Sequence, residues 1–158
     1  MIEVQPKDSR GYFMLPQAPE DSGYYVYGKI DGKPSHGAFQ YAPPSMMSVI
    51  LRVAREWQAI DHRKFGVGDI SLAGGPANKD HKSHKTGLEV DVRPLRKDGR
   101  QVAVTWSQVE YDKEATAKLI DLFRTYAPVA LIYFSGPDIP FVTKMINHDN
   151  HFHVKLRG

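Results

Sequence analysis

Five of the seven histidines fall in two short windows, Asp80-His81-Lys82-Ser83-His84 running on to Asp91, and Asn147-His148-Asp149-Asn150-His151-Phe152-His153. Neutral imidazole and carboxylate oxygen are the groups that a catalytic zinc ion takes as ligands, at about 2.0 to 2.2 Å. Imidazole is also the side chain that changes charge near neutral pH, so it can move protons during a reaction. His36 and His62 stand apart and carry no pattern. The chain has no cysteine, which excludes disulfides, thiolate nucleophiles and Cys-based zinc or iron–sulfur sites. Structural zinc sites fill all four positions with protein groups, commonly cysteine. Without them, the expected site is an open one, with three protein ligands and a place for the water that a hydrolase needs.

These residues need rigid elements to converge. His151 and His153 are two apart in a segment that alternates to Leu156, so as a strand it presents both imidazoles on one face and Phe152 and Val154 on the other. Leu88, Val90 and Val92 alternate with Glu89 and Asp91 in a second strand, which puts Asp91 on its polar face. His84 lies seven residues before Asp91, across a turn permitted by Gly87. Laid side by side, the two strands bring together one carboxylate and two or three imidazoles. Tyr24 to Tyr41 reads as a hairpin or paired strands about an Asp31-Gly32 turn. After Pro43 and Pro44, Ser45 is the expected cap of a helix over about 45–60, with Met46, Ile50, Val53, Trp57 and Ile60 on its apolar face. Asp69 to Ala73 reads as a short strand that runs into the loop Gly74-Gly75-Pro76. Ala115, Leu119, Leu122, Phe123 and Tyr126 mark a second helix, ended by Pro128, and Val129 to Phe134 reads as a buried strand. The expected class is α+β, with a small, largely antiparallel sheet carrying the metal site and about two main helices beside it. Residues 1–158 are expected to make one domain, with 1–23 irregular.

The motif His84, six intervening residues and Asp91, followed much later by His151-Phe152-His153, resembles the arrangement shared by lysostaphin-type peptidases, D-alanyl-D-alanine carboxypeptidases and the hedgehog signalling domain. More closely, Ser83-His84-Lys85-Thr86-Gly87-Leu88-Glu89-Val90-Asp91 and His148-Asp149-Asn150-His151-Phe152-His153-Val154 resemble the penicillin-insensitive murein endopeptidases, which cleave D-alanyl–diaminopimelate cross-links in peptidoglycan. The resemblance implies that His84, Asp91 and His153 hold one Zn2+, with a second metal open, and that His151 is the catalytic base. His148 matches a further family histidine that would orient the site, stabilise the oxyanion or touch a second metal. Either it or the His151 imidazolium would return a proton to the leaving amine. His81 matches a further family histidine, with a supporting role or a second metal. The resemblance covers about two dozen residues. Glu89 stands where Asp is more usual, and the chain is short for the family.

A formal charge of +3 and 25% charged residues are spread without a basic stripe or a reading motif, so nucleic acid is not an expected partner. Mild positive charge suits an anionic polymer such as cell wall. Free carboxylates of peptidoglycan stem peptides call for cations near the metal, and Arg93 and Lys85 are the substrate-binding candidates. No apolar run approaches the roughly 20 residues that span a bilayer, so no membrane insertion is expected. Nothing near the N-terminus reads as a signal peptide. The expectation is therefore synthesis in the cytoplasm and action in the periplasm or cell wall, after delivery as a phage lysin or as a secreted antibacterial effector, which would have an immunity protein as partner. The competing readings are a carboxypeptidase or L-alanyl-D-glutamate peptidase of the same zinc fold, and a zinc domain that binds without catalysis.

Overall fold

The computed structural model describes residues 7–17, 20–30, 32–74 and 84–158. The strands are β1 (Phe13–Met14), β2 (Tyr24–Val26), β3 (Lys29–Ile30), β4 (Lys33–Pro34), β5 (Tyr41–Ala42), β6 (Phe65–Val67), β7 (Glu89–Arg93), β8 (Val129–Tyr133) and β9 (Phe152–Leu156). The helices are α1 (Pro44–Gln58), between β5 and β6, and α2 (Lys113–Tyr126), between β7 and β8. The central sheet has the order β2-β6-β7-β9-β8. β2 pairs with β6 in parallel, and every other pairing in that sheet is antiparallel. Among the described residues, two helices with a mainly antiparallel sheet make this an α+β fold, as expected.

The sheet has one apolar face and one polar face because β7 and β9 alternate in phase. Val90 pairs with Val154 and Val92 with Phe152, and all four are fully buried. Against that face lies α2: Phe123 meets Phe152 edge-on at 6.0 Å and Phe65 at 6.2 Å between ring centroids. Fully burying each such side chain contributes about 1.5–3 kcal/mol, so this underside is what fixes the register of the site above it.

α2 starts at Asp112, whose Oδ1 accepts from Ala115 N–H at 3.0 Å, satisfying one of the donors that a helix N-terminus leaves unpaired. α1 departs from expectation at both ends. Pro43, not Ser45, is its N-cap, and no side chain caps it. Pro44 takes the first turn, where its missing N–H costs nothing. The helix ends at Gln58, so Ile60 falls beyond it and is exposed, while Val49 and Ala54 complete the buried face.

Three strand readings are corrected. The strand is Phe65–Val67, upstream of the expected Asp69–Ala73. Residues 69–73 instead make scattered bonds to several neighbours, including Ile70 N–H to Phe39 O and Ala73 N–H to Ala38 O. Gly66 and Gly68 hide β6 in the sequence, yet they are needed: a Cβ on either would strike the rings of Tyr25 or Tyr27. β8 is the sheet edge and not a buried strand, with only Ile132 of its residues fully buried. The hairpin expected within 24–41 is the pair β3–β4, whereas Tyr24–Val26 pairs with distant β6. The N-terminal stretch also contains order: Phe13–Met14 pairs antiparallel with Tyr41–Ala42.

Candidate metal centre

Asp91 and His153 are direct partners in the β7–β9 register and project from the polar face. Asp91 Oδ1 lies 3.0 Å from His153 Nδ1 and 3.4 Å from His84 Nε2. The three ligand atoms lie within 4.8 Å of one another, and all three residues are buried. His84 comes from the chain just before β7, turned back by Gly87 at φ +75, where only glycine is unstrained.

The outward nitrogens decide what the inward ones can do. His84 Nδ1–H donates to Ile70 O at 2.9 Å, and His153 Nε2–H donates to Glu89 Oε1 at 3.0 Å. With those protons committed, His84 Nε2, His153 Nδ1 and Asp91 Oδ1 meet as three lone-pair atoms, which repel unless a cation lies among them. A carboxylate behind a ligating imidazole is the usual way of fixing its tautomer. The donor set, two imidazoles and one carboxylate without sulfur, fits a catalytic zinc site. Until a metal binds, a proton fills the same need. Burial pushes the His153 imidazole down, but the Asp91 and Glu89 carboxylates outweigh this and raise it to about 9. Burial acts in the opposite sense on the Asp91 carboxyl and would raise it, yet the adjoining His153 and His84 imidazoles hold it well below its usual range.

His151 sits one residue before β9, half-buried, with Nε2 3.9 Å from Asp91 Oδ1. Its Nδ1–H donates to Asn150 Oδ1 at 2.9 Å, which turns the Nε2 lone pair toward the cluster. The His148 ring lies nearby, tilted against the His151 ring at 4.9 Å and edge-on to the His153 ring at 5.9 Å. Its Nδ1–H donates to Ile146 O at 2.9 Å. Thus His84, Asp91, His148, His151 and His153 come together. His81 lies outside the described residues. Arg93 lines a cavity of about 330 Å³ together with Asp91 and His151, and Lys85 has an exposed side chain outside that lining.

Several contributors escaped the sequence reading. Glu89 reads in the sequence only as an acidic residue of the alternating strand, and its bond to His153 depends on a strand register that no local pattern reveals. Arg10 donates to Ser71 Oγ, Leu72 O and Lys85 O at 2.8–3.0 Å, and Asp8 Oδ2 accepts from Gly74 N–H at 2.9 Å. Tyr12 Oη donates to Thr86 O at 3.0 Å. The N-terminal segment, expected to be irregular, therefore pins the chain on both sides of His84. Tyr27 also walls the cavity. Its hydroxyl is buried without a hydrogen-bond partner among the described residues, and burial, with Asp91 nearby, raises it well above its usual value.

The family described as penicillin-insensitive murein endopeptidase matches residues 34–126. That span contains His84, Glu89, Asp91 and Arg93 and ends before the His148–His153 window. Among curated proteins there is no significant match.

Proposed function

The chain belongs to the penicillin-insensitive murein endopeptidase family, and from that premise we propose that it is a zinc-dependent endopeptidase of a single domain that hydrolyses D-alanyl–diaminopimelate cross-links. As a member of a murein endopeptidase family, its substrate is peptidoglycan and its place of action the periplasm. Among the described residues no helix is long and apolar enough to cross a membrane.

The observation that carries the reading is the convergence of His84 Nε2, Asp91 Oδ1 and His153 Nδ1 within 4.8 Å, each imidazole having its other nitrogen anchored outward. These residues would hold the ion. Bound there, zinc supplies Lewis acidity that acidifies a water and polarises the scissile carbonyl.

His151 accepts the proton of the attacking water at Nε2, the nitrogen that faces the cluster, while Asn150 holds its Nδ1–H. His148 delivers a proton to the departing amine. Glu89 and Ile70 O keep the ligating imidazoles in the tautomers that leave their inner nitrogens unprotonated. No serine nucleophile takes part, so an acylating β-lactam has no group to trap.

The test is digestion of purified cross-linked muropeptide dimers, followed by mass spectrometry. The reading expects conversion to monomers that stops with a zinc chelator and returns with added zinc. New termini at any bond other than D-alanyl–diaminopimelate would reassign the specificity, and intact dimers with stoichiometric zinc would end the endopeptidase reading.

A further inference from the structure

Arg93 is held in an unusual way for a surface cation. Its guanidinium carbon lies 3.8 Å from the centroid of the Tyr27 ring. The ring has glycine beneath it: a Cβ at Gly66 would come within 3.0 Å of Tyr27 and one at Gly68 within 2.5 Å. A planar cation stacked on an aromatic face keeps its N–H fork in a defined plane. Among the described residues no carboxylate pairs with Arg93, although Asp91 stands two residues away on the same strand face. Arg93, Tyr27, Asp91 and His151 all wall the one cavity. Arg93 also bonds the Tyr25 side chain. A stacked, oriented guanidinium with that bond but no carboxylate partner, beside the cluster of His84, Asp91 and His153, keeps N–H groups with which to receive a carboxylate.

We propose that Arg93 is the anchor for a free carboxylate of the substrate next to the scissile amide, and that Tyr27 is the positioning residue that holds the guanidinium in plane. The proposal rests on the endopeptidase reading, in which the residue on the amine side of the cleaved bond carries such a carboxylate. It makes Arg93 a determinant of which peptides are cut. Two other charges line the cavity: Lys29, and Asp69, whose Oδ1 accepts from Lys29 N–H at 2.9 Å. A flexible, exposed ammonium has no fixed plane, so the anchor is assigned to Arg93.

The probe is N-acetyl-D-alanine joined to the D-centre amine of meso-diaminopimelate, made with the adjacent carboxylate either free or as the carboxamide. Binding of both forms to the metal-free protein is measured by calorimetry. Losing one charge-assisted pair should weaken binding roughly tenfold or more, so wild type should prefer the free form by that ratio. In Arg93→Ala the ratio should collapse to near one, and Arg93→Lys should recover only part of it. Tyr27→Leu should lower the ratio, and Tyr27→Phe, which restores the ring face, should rescue it; a merely structural Tyr27 would shift both affinities together. A ratio near one in wild type, or one that survives Arg93→Ala, overturns the proposal. Cleavage of unmodified dimers by the zinc-loaded wild type is run alongside. If dimers stay intact while the ratio follows Arg93, the endopeptidase reading falls and the anchor stands. If dimers are cut and the ratio ignores Arg93, only the anchor falls.

Discussion

Glu89 Oε1 accepts from His153 Nε2–H at 3.0 Å, across the β7–β9 ladder and on the same sheet face as Asp91. That bond decides which His153 nitrogen looks into the cluster. Removing its acceptor frees the ring to take the other tautomer, or to rotate. Glu89→Gln keeps the shape but presents a weaker acceptor, and Glu89→Ala removes it. Support of this kind is typically worth about 10- to 100-fold in metal affinity. We expect zinc affinity, measured by competition with a chromophoric chelator, to fall within that range, with Glu89→Ala the worse. Unchanged affinity in both variants would mean that His153 is oriented by packing alone.

His151 differs from the three cluster residues in holding Nε2 3.9 Å from Asp91 Oδ1 and in being partly exposed to the cavity. A group that shuttles protons without ligating should be separable from metal binding. His151→Ala is expected to retain one zinc per chain by elemental analysis, while turnover of muropeptide dimers drops by about 10²- to 10⁴-fold, the usual contribution of a general base. Loss of zinc along with activity would make His151 a ligand.

The convergence of the candidate ligands was legible in the sequence because the two strands that carry Asp91 and His153 alternate cleanly. Asp91 and His153 each stand between apolar residues that can point only to the core, so their faces follow from a period of two. Other features depended on partners far away in the chain. β6 is interrupted by Gly66 and followed at once by Gly68, which accommodate the Tyr25 and Tyr27 rings and erase the β-branched signature of a strand. The order around residues 7–14 rests on Arg10 and Asp8 reaching segments some 60 to 75 residues away, which no local window displays. Val129–Tyr133 looks buried by composition, but it is the last strand of the sheet, and on its outer side only a single bridge to Thr143 covers it.

Tyr27 and the glycines beneath it give opposite expectations for two small changes. Tyr27→Phe deletes a buried hydroxyl without a described partner, so it should be neutral or stabilising, within ~1 kcal/mol. Gly68→Ala adds a methyl carbon 2.5 Å from the ring. The ring is trapped under Arg93, so this crowding should cost ~1–3 kcal/mol. Chemical denaturation with urea reads both. A loss in Tyr27→Phe larger than in Gly68→Ala would show that the hydroxyl makes a bond that matters.

The His153 imidazole, raised to about 9 between Asp91 and Glu89, makes the metal-free and zinc-bound proteins respond to pH in opposite ways. For a group raised on folding, the stabilisation is complete below the unfolded value near 6.5 and is lost as pH climbs through the folded one. Asp91, held well below its usual range, contributes above about 3.9 and loses its contribution only in acid. Metal-free protein should therefore lose thermal stability between pH 6.5 and about 9. Zinc has to displace the same proton, so its apparent affinity should rise across that window, by up to roughly tenfold per pH unit. Melting temperatures with and without saturating zinc, taken from pH 6 to 9.5, should diverge as pH increases. In Glu89→Gln the metal-free decline should shrink, because one of the two carboxylates that hold the proton is gone. Parallel curves for the two forms would mean that His153 carries no extra proton in the metal-free fold, and that the three inward atoms are kept apart by some other means.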